Sequence, residues 1–265
     1  FYSDVARGVE DVAIANNCAV TLCNTDESAD KEKLYLDILC AEQVDGIIVP
    51  PIDSNHSPEI AKLVDKNIPI VCIDRRLEGV DVDSVVVDNK HGAYIGVERL
   101  IKLGHRRIAC ILGLPNISTS KERFEGYISA FDAYNIPVVK NYIIFGDSRQ
   151  ESSRILTEQL LKLPNPPTAL FSGNNLITLG AYEAINENGL RIPEDIAIIG
   201  FDDIPAGRAL NPQLTAVRQP GYDIGNKATK LLFSRIKEPN RKTREIVLQP
   251  NLIIRHSCGV LKNEV

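Results

Sequence analysis

The sequence has no excess of basic residues. Its 265 residues carry 30 Lys and Arg against 35 Asp and Glu, which gives a formal net charge of -5 and an isoelectric point near 5.5. A chain that binds nucleic acid or an anionic membrane over much of its surface normally shows a basic footprint. The charge therefore gives no electrostatic case for either partner, and we expect any DNA-binding part to lie outside this chain.

Long hydrophobic runs are also missing. No apolar stretch approaches the roughly 18 residues that a membrane-spanning helix needs, and the start of the chain does not resemble a signal peptide. We therefore expect nothing in this chain to span a membrane. With 44% hydrophobic and 25% charged residues, the composition is that of a globular protein, and the length suits one large domain or two of about 130 residues.

The cysteines and histidines lack metal-binding or disulfide spacing. The six cysteines are scattered, form no CxxC pair and lie mostly inside apolar runs: Cys18, Cys23, Cys40, Cys72, Cys110 and Cys258. The four histidines form no HExxH motif. These patterns favour reduced thiols, and therefore a cytoplasmic protein. They predict neither a metal site nor a cofactor.

Motifs of α/β enzymes are absent as well. The sequence has no GxGxxG, no GxxxxGK[ST] and no GxSxG, which would mark a dinucleotide site, a phosphate loop or a nucleophile elbow. Asp202 and Asp203 could form an acid/base pair, but adjacent residues of a strand point to opposite faces. We therefore expect the chain not to be an enzyme.

What is present is a regular alternation of strand and helix signals. Continuous apolar runs without polar alternation are typical of parallel strands covered on both faces. Helices are predicted over 4–16, 30–42, 57–66, 90–103, 121–134, 150–163, 176–188 and 222–236, and strands over 18–23, 46–50, 68–73, 84–87, 107–112, 142–145, 168–172, 195–201, 214–218 and, as one or two strands, 245–255. This is too many strands for one sheet of five or six, so we predict two similar Rossmann-like α/β lobes with parallel sheets.

Polar residues follow several of these runs. Asp74 and Arg75, Asn174 and Asn175, Asp202 and Asp203, and Gln219 stand just past strands, and Arg123 lies near the start of a helix. Ligands of open α/β sheets bind at the carboxyl ends of strands. Asp, Asn, Gln and Arg can form paired hydrogen bonds with the hydroxyls of a sugar, and Phe1 and Tyr2 could cover its apolar face. The alternative is structural: turn residues, a solvated charge and helix caps.

Eight segments together resemble the effector-binding core of the LacI family of bacterial transcription regulators, and the resemblance extends from the first residue to about Gly259. The segments are Asp45-Gly-Ile-Ile-Val49, Ile70-Val-Cys-Ile-Asp-Arg75, Val87-Asp-Asn89, Gly104-His-Arg-Arg-Ile-Ala109, Ser120 with Arg123 and Gly126-Tyr127, Thr168-Ala169, Pro193-Glu-Asp-Ile-Ala-Ile-Ile-Gly-Phe-Asp-Asp203 and Leu214-Thr-Ala-Val-Arg-Gln-Pro220. The fold is similar to that of type I periplasmic sugar-binding proteins.

The resemblance implies an allosteric, dimeric regulator, in most cases a repressor, with its effector held in a cleft between two lobes. Residues 1–88 and 219–246 would form the N-terminal lobe, and 89–218 and 247–260 the C-terminal lobe, with crossovers near 88, 218 and 247. The expected effector contacts are Phe1, Tyr2, Asp74, Arg75, Arg123, Asn174, Asp202 and Gln219. This set resembles that of ribose-binding proteins, so a monosaccharide, first a pentose such as ribose, is the expected effector, with purines as the second class.

The sequence departs from the family at its start. The helix-turn-helix headpiece and the first strand of the core are absent from this chain, so we expect operator DNA to be bound only through the absent headpiece. An unfilled position in the N-terminal sheet would leave backbone groups unpaired. We therefore expect the natural protein to contain residues before Phe1. The alternative function is a periplasmic receptor for transport or chemotaxis with the same fold.

Overall fold

The computed structural model describes residues 1–55, 57–204, 207 and 210–259. The chain packs as two compact units. Unit 1 contains Phe1–Val87, Asn116–Ser118 and Pro220–Leu248, and unit 2 contains Asp88–Pro115, Thr119–Gln219 and the described residues from Gln249 onward. The lobe boundaries near 88, 218 and 247 stay a prediction. Val260, the last residue of the predicted C-terminal lobe, lies outside the described residues.

Helices and strands alternate along the chain. The helices are α1 (Tyr2–Ala15), α2 (Ala29–Ala41), α3 (Pro58–Asp65), α4 (Asn89–Lys102), α5 (Ser118–Ala133), α6 (Gln150–Leu161), α7 (Asn175–Glu187) and α8 (Gly221–Lys237). The strands are β1 (Ile47–Val49), β2 (Ile70–Ile73), β3 (Asp83–Val87), β4 (Ile108–Leu112), β5 (Ile143–Phe145), β6 (Ala169–Ser172), β7 (Ala197–Phe201), β8 (Thr215–Arg218), β9 (Glu245–Leu248) and β10 (Asn251–Ile253). All the predicted elements except the strand over 18–23 have counterparts in this series.

Unit 1 is built on a four-stranded parallel sheet in the order β1-β2-β3-β9. Strand β2 is buried along its whole length, which explains its unbroken apolar sequence. One face of the sheet, including Val71 and Val85, packs on α1 and α8. The opposite face, including Cys72, packs with Leu36 of α2 and Ile60 of α3. The parallel arrangement brings the carboxyl ends of β2 and β3 to one edge.

Unit 2 is built on a six-stranded sheet in the order β10-β8-β7-β6-β4-β5. The strands are parallel except for β10, which pairs antiparallel with β8. Strands β4 and β7 are completely buried, and separate apolar clusters cover the two faces of the sheet. The register aligns Ser172 with Gly200, so the polar segments that follow β6 and β7 emerge side by side.

Two glycines allow α1 and α8 to pack closely. A Cβ atom at Gly8 would collide with the backbone carbonyl of Tyr222, and one at Gly225 with that of Val5. The helices are therefore in contact through their backbones, and α1 covers the sheet of unit 1 together with α8. This packing fixes the N-terminal end of α1, which carries Phe1 and Tyr2.

The prediction of a strand over residues 18–23 is wrong. This segment has no regular secondary structure, and its side chains Val20 and Leu22 are 38% and 80% exposed. A strand requires a neighbour for its backbone groups, and the pairing found for the outer strand β1 in the described chain is with β2 alone. A groove of about 670 Å³ lies between the segment and β1, lined by apolar side chains such as Val9, Leu36 and Leu232. The groove lies along the edge of β1 that faces away from β2. This is the position where an additional strand was expected.

The described residues contain neither a candidate membrane span nor a candidate metal-binding cluster. Among the described helices, none has both the length and the apolar character that a membrane span requires. Within the same residues, no group of three or more His, Cys, Asp or Glu side chains is arranged to hold a metal ion.

Candidate functional site

Asp74 occupies the carboxyl end of β2 in unit 1. It adopts a left-handed backbone with φ of +64°, and its amide donates to the carbonyl of Val85 at 3.1 Å. Such a conformation is uncommon and unfavourable for a residue with a side chain. The Asp74 carboxylate accepts a hydrogen bond of 3.1 Å from the hydroxyl of Tyr2. The tight exit from the strand thus directs a carboxylate toward the start of α1.

Phe1 and Tyr2 supply the aromatic surface of unit 1. Their ring centroids lie 4.9 Å apart in an edge-to-face arrangement. Tyr2 is 45% exposed as a residue, but desolvation of its hydroxyl and the charge of Asp74 raise its pKa well above the usual value. The phenol therefore stays protonated and donates to Asp74 at neutral pH, and its ring remains accessible at the strand end.

Arg75 is held mainly by Glu27, a residue outside the predicted set. The two terminal nitrogens of Arg75 donate to the two carboxylate oxygens of Glu27 at 2.8 and 2.7 Å, and one of them also donates to the carbonyl of Pro51 at 3.2 Å. Burial disfavours the cation, but Glu27 and Asp74 outweigh that effect and raise the pKa of Arg75. No sequence signal singled out Glu27, because it is one acidic residue in the connection between α1 and α2.

Arg123 lies buried in unit 2, on α5. Its guanidinium carbon is 3.7 Å from the centroid of the Phe201 ring, a cation–π contact. Nε donates to Asn89 at 2.9 Å, and Nη1 donates to the carbonyl of Gly173 at 2.6 Å. The alternative of a solvated helix charge is therefore wrong, because only 6% of Arg123 is exposed. Its contacts connect the ends of β6 and β7.

Asn174 follows β6 and caps α7. Its side-chain oxygen accepts from the amide of Ile177 at 2.7 Å, as expected for an N-cap. The side-chain nitrogen lies 3.5 Å from the carbonyl of Ser148, a distance at the limit of a hydrogen bond. The alternative that Asn174 is a helix cap is therefore correct for its side-chain oxygen. The side-chain NH2 group keeps donor capacity for a ligand.

Asp202 and Gln219 form a pair at the ends of β7 and β8. The Gln219 amide donates to the Asp202 carboxylate at 2.6 Å. Asp202, like Asp74, has a left-handed φ, here +73°, and its amide donates to the carbonyl of Val217 at 2.9 Å. The side-chain oxygen of Gln219 is buried and has no partner among the described residues. Gln219, predicted for the N-terminal lobe, belongs to unit 2.

Asp203 has different partners from Asp202. Its carboxylate accepts two hydrogen bonds from Arg255, at 2.7 and 2.9 Å, and two from Arg218, at 3.0 and 2.6 Å. Although burial alone would raise it, these contacts lower the pKa of Asp203. The expectation that adjacent aspartates do not act together fits this geometry. Asp203 is a structural ion-pair residue that ties β8 to the segment after β10.

The predicted residues thus form two groups. The first, in unit 1, contains Phe1, Tyr2, Asp74 and Arg75, and the second, in unit 2, contains Arg123, Asn174, Asp202 and Gln219. Both groups stand at the carboxyl ends of buried parallel strands and combine carboxylate acceptors with guanidinium, amide or hydroxyl donors. Each group, taken by itself, offers directed hydrogen bonds to a small polar molecule.

This chain is similar to known transcription regulators. The family described as periplasmic binding protein-like domain matches residues 97–258. A Paenibacillus polymyxa protein named "Probable HTH-type transcriptional regulator EndR" is 35% identical over 99% of this chain and 78% of its own length. The HTH-type transcriptional repressor PurR of Aliivibrio salmonicida (strain LFI1238) is 32% identical over 98% of this chain and 78% of its own length.

A solved structure extends the similarity to the whole fold. A LacI family transcriptional regulator from Enterococcus faecium, crystallised with bound ribose, is 30% identical to this chain, with a TM-score of 0.86 over 98% of this chain and 95% of that one. The predicted fold, of the periplasmic-binding-protein type with parallel sheets, is confirmed. The chain belongs to the LacI family of transcription regulators, in which it forms the effector-binding domain.

Proposed function

We propose that this domain senses a monosaccharide, with a pentose such as ribose as the first candidate. The observation that carries the proposal is the equivalent placement of Asp74 and Asp202. Each follows a buried strand, has a left-handed backbone and presents a carboxylate that accepts a hydrogen bond from a neighbouring side chain. Carboxylates held in this way are suitable acceptors for sugar hydroxyls. The bound ribose of the Enterococcus faecium regulator supports this class of effector.

The hydrogen-bonding state of Gln219 supports a ligand rich in hydroxyl groups. Its buried side-chain oxygen has no partner within the described part of the chain, and an unpaired buried acceptor costs about 1–3 kcal/mol. A ligand hydroxyl that donates to this oxygen would remove that cost. The same argument makes the site selective, because an analogue lacking the hydroxyl leaves the acceptor unpaired.

The proposed effector acts on DNA binding by a longer, homodimeric cytoplasmic regulator. The relatives are HTH-type regulators that extend beyond the matched region, and we propose that operator DNA is bound through a headpiece outside this chain. A ligand can shift the regulator between two states only by binding one of them more tightly. Since the relatives are regulators, we propose no catalytic role and do not favour the receptor alternative.

Purines are the second candidate class. The edge-to-face pair of Phe1 and Tyr2 offers aromatic surface for a flat ring, and the PurR repressors are among the relatives. The balance of groups favours a sugar, because Asp74, Asp202 and Gln219 all provide acceptor oxygens for hydroxyl donors. A direct comparison of the two classes decides between them.

The test is calorimetric titration of the protein with pentoses, hexoses and purines. Asp202→Asn keeps the size of the side chain but removes its charge. Asp195→Asn is the matched control, since Asp195 pairs with Arg191 on the surface and lies outside both groups of predicted residues. We expect one sugar to bind saturably, Asp202→Asn to weaken it by about 10-fold to 100-fold, and Asp195→Asn to leave it unchanged.

Other results would contradict the proposal in distinct ways. Saturable binding of a purine and of no sugar would show that the effector is a purine and not a sugar. Sugar binding that both variants leave unchanged would remove Asp202 from the site. An absence of binding across the panel would refute the proposed effector class altogether.

A further inference from the structure

Arg75 is neutralised by a carboxylate outside the predicted site. Glu27 meets the guanidinium with two hydrogen bonds of 2.8 and 2.7 Å. The Arg75 side chain is 11% exposed, whereas that of Glu27 is 60% exposed. A carboxylate bound through both terminal nitrogens of an arginine has the geometry that distinguishes a strong pair from an ordinary surface ion pair.

The backbone around Glu27 is strained. Asp26 and Glu27 have φ of +50° and +57°, and the amide of Ser28 closes the turn by donating to the carbonyl of Thr25 at 3.0 Å. Positive φ at both central residues is typical of a type I′ turn, which favours Asn and Gly. Two residues with unfavourable backbone conformations therefore present the Glu27 carboxylate to Arg75. Strain of this kind concentrates at functional positions.

The charges around Arg75 do not favour an anionic ligand. Asp74 lies on the other side of the guanidinium, with 3.7 Å between its carboxylate and Nε of Arg75. The Glu27 carboxylate and the Arg75 guanidinium together carry no net charge. An approaching anion is therefore attracted by the guanidinium and repelled by the adjoining Glu27 carboxylate, whereas a neutral molecule is not affected in this way.

We propose that Glu27 is a specificity-determining residue that makes the site of unit 1 accept neutral, hydroxyl-bearing ligands and reject anionic ones. With the terminal nitrogens of Arg75 engaged by Glu27, the buried Nε has no hydrogen-bond partner within the described residues and can donate to a neutral hydroxyl. The inference rests on the proposed function and refines it, because it excludes phosphorylated sugars and sugar acids as effectors.

The test compares Glu27→Gln with Asp26→Asn. Glutamine preserves the size of the Glu27 side chain and one acceptor oxygen but removes the charge. Asp26→Asn removes a charge from the same turn, and that carboxylate faces Lys31 at 3.6 Å. The affinities of both variants and of the natural sequence are measured for D-ribose and D-ribose 5-phosphate by calorimetry. Thermal unfolding is also followed in sodium sulfate and in sodium chloride at equal ionic strength.

We expect Glu27→Gln to shift the ratio of the two affinities toward the phosphate ester by about tenfold or more. Asp26→Asn is expected to leave the ratio unchanged. Because Arg75 is then free to bind an anion, we expect sulfate to raise the unfolding midpoint, relative to chloride, more in Glu27→Gln than in Asp26→Asn or the natural sequence. The latter two should show only the general stabilisation that sulfate gives to folded proteins.

The outcomes separate this inference from the proposed function. Binding of ribose by the natural sequence with an unchanged ratio in Glu27→Gln would overturn the role of Glu27 and leave the sugar proposal intact. If the natural sequence does not bind ribose, the proposal of ribose as effector fails and the sulfate comparison alone decides on Glu27. A sulfate effect that is larger in Glu27→Gln than in the other two proteins supports the role of Glu27, and an equal effect in all three overturns it.

Discussion

Asp74 and Asp202 are equivalent residues of the two units. Each is the first residue after a buried parallel strand, each has a positive φ, and each donates its amide to a carbonyl of the neighbouring strand, Val85 and Val217 respectively. The carboxylate of Asp74 accepts from Tyr2 and that of Asp202 from Gln219. The same backbone exit therefore positions one acceptor in each unit.

The positive φ of these two residues predicts an order of stability among substitutions. Asp202→Ala and Asp202→Gly both remove the carboxylate, but only glycine adopts φ of +73° without a steric penalty. We expect the glycine variant to be more stable than the alanine variant by about 1 kcal/mol in urea unfolding. The same order is expected at Asp74. Equal stability of the glycine and alanine variants would show that the backbone is not strained.

The close packing of α1 and α8 predicts a large effect of small substitutions. Gly8→Ala and Gly225→Ala each place a methyl group against backbone atoms of the other helix, so the helices must separate. We expect a loss of about 1–3 kcal/mol in the free energy of unfolding, despite the better helix propensity of alanine. Ser3→Ala, at an exposed position of α1, is the control and should change stability little. A gain of stability in either glycine variant would contradict this packing.

A buried ion cluster predicts sensitivity to acid. The fully buried carboxylate of Asp83 accepts from Arg241 at 2.8 and 2.7 Å and from Arg235 at 2.9 Å. Burial alone would raise its pKa, but these hydrogen bonds dominate and lower it. A lowered folded-state pKa means that the stabilisation is present above the unfolded-state pKa, about 4, and is lost as pH falls through the folded-state pKa.

Replacement of this carboxylate tests the cluster. Asp83→Asn leaves two arginines without a buried counter-charge, and we expect a loss of about 3–5 kcal/mol at pH 7. The difference in unfolding free energy from the natural sequence should shrink as the pH is lowered below about 4. Asp195→Asn, which affects an exposed pair, should cost much less than Asp83→Asn, because solvent screens the charges of a surface pair. A pH-independent difference at Asp83 would refute the assigned titration.

The contribution of Glu32 to stability should depend on pH in the opposite direction to that of Asp83. Its buried carboxylate accepts from the amide of Ile52 at 3.1 Å and lies 3.5 Å from the hydroxyl of Ser57. Desolvation raises the pKa of Glu32, and the two hydrogen bonds only partly oppose that effect. Since the folded-state pKa is the higher one, the contribution to stability is present below the unfolded-state pKa, about 4.3, and is lost as pH rises through the folded-state pKa.

Glu32→Gln removes this titration while keeping an acceptor for Ile52. We expect the stability of the variant relative to the natural sequence to increase between pH 4 and pH 7, measured by urea unfolding at each pH. If the relative stability decreases over this range, the carboxylate is stabilised by its hydrogen bonds more than it is disfavoured by burial.

Much of the fold could be predicted because its signals are local. A strand buried on both faces requires a continuous apolar run, so β2, β4 and β7 were visible in the sequence. The exception is the segment 18–23, which has the composition of a strand but not the structure. Whether an apolar segment becomes a strand depends on a neighbouring strand with free backbone groups, and this is not a local property.

The candidate site was predictable only in part. The sequence alone determined that Asp74, Asn174 and Asp202 follow buried strands, because chain order fixes which residue comes after an apolar run. Which group each side chain binds was decided by the tertiary structure: Asp202 binds Gln219, whereas its neighbour Asp203 binds Arg255.

Glu27 is the clearest case of a residue that only the tertiary structure could assign. It meets Arg75 across a sequence separation of 48 residues, and nothing near Glu27 in the sequence indicates that contact. The layers and sheets follow from the periodicity of the sequence, because burial acts on the pattern of each segment separately. The partners of the charged groups follow from the three-dimensional fold, because charge pairing depends on distances in space that the pattern of a single segment does not encode.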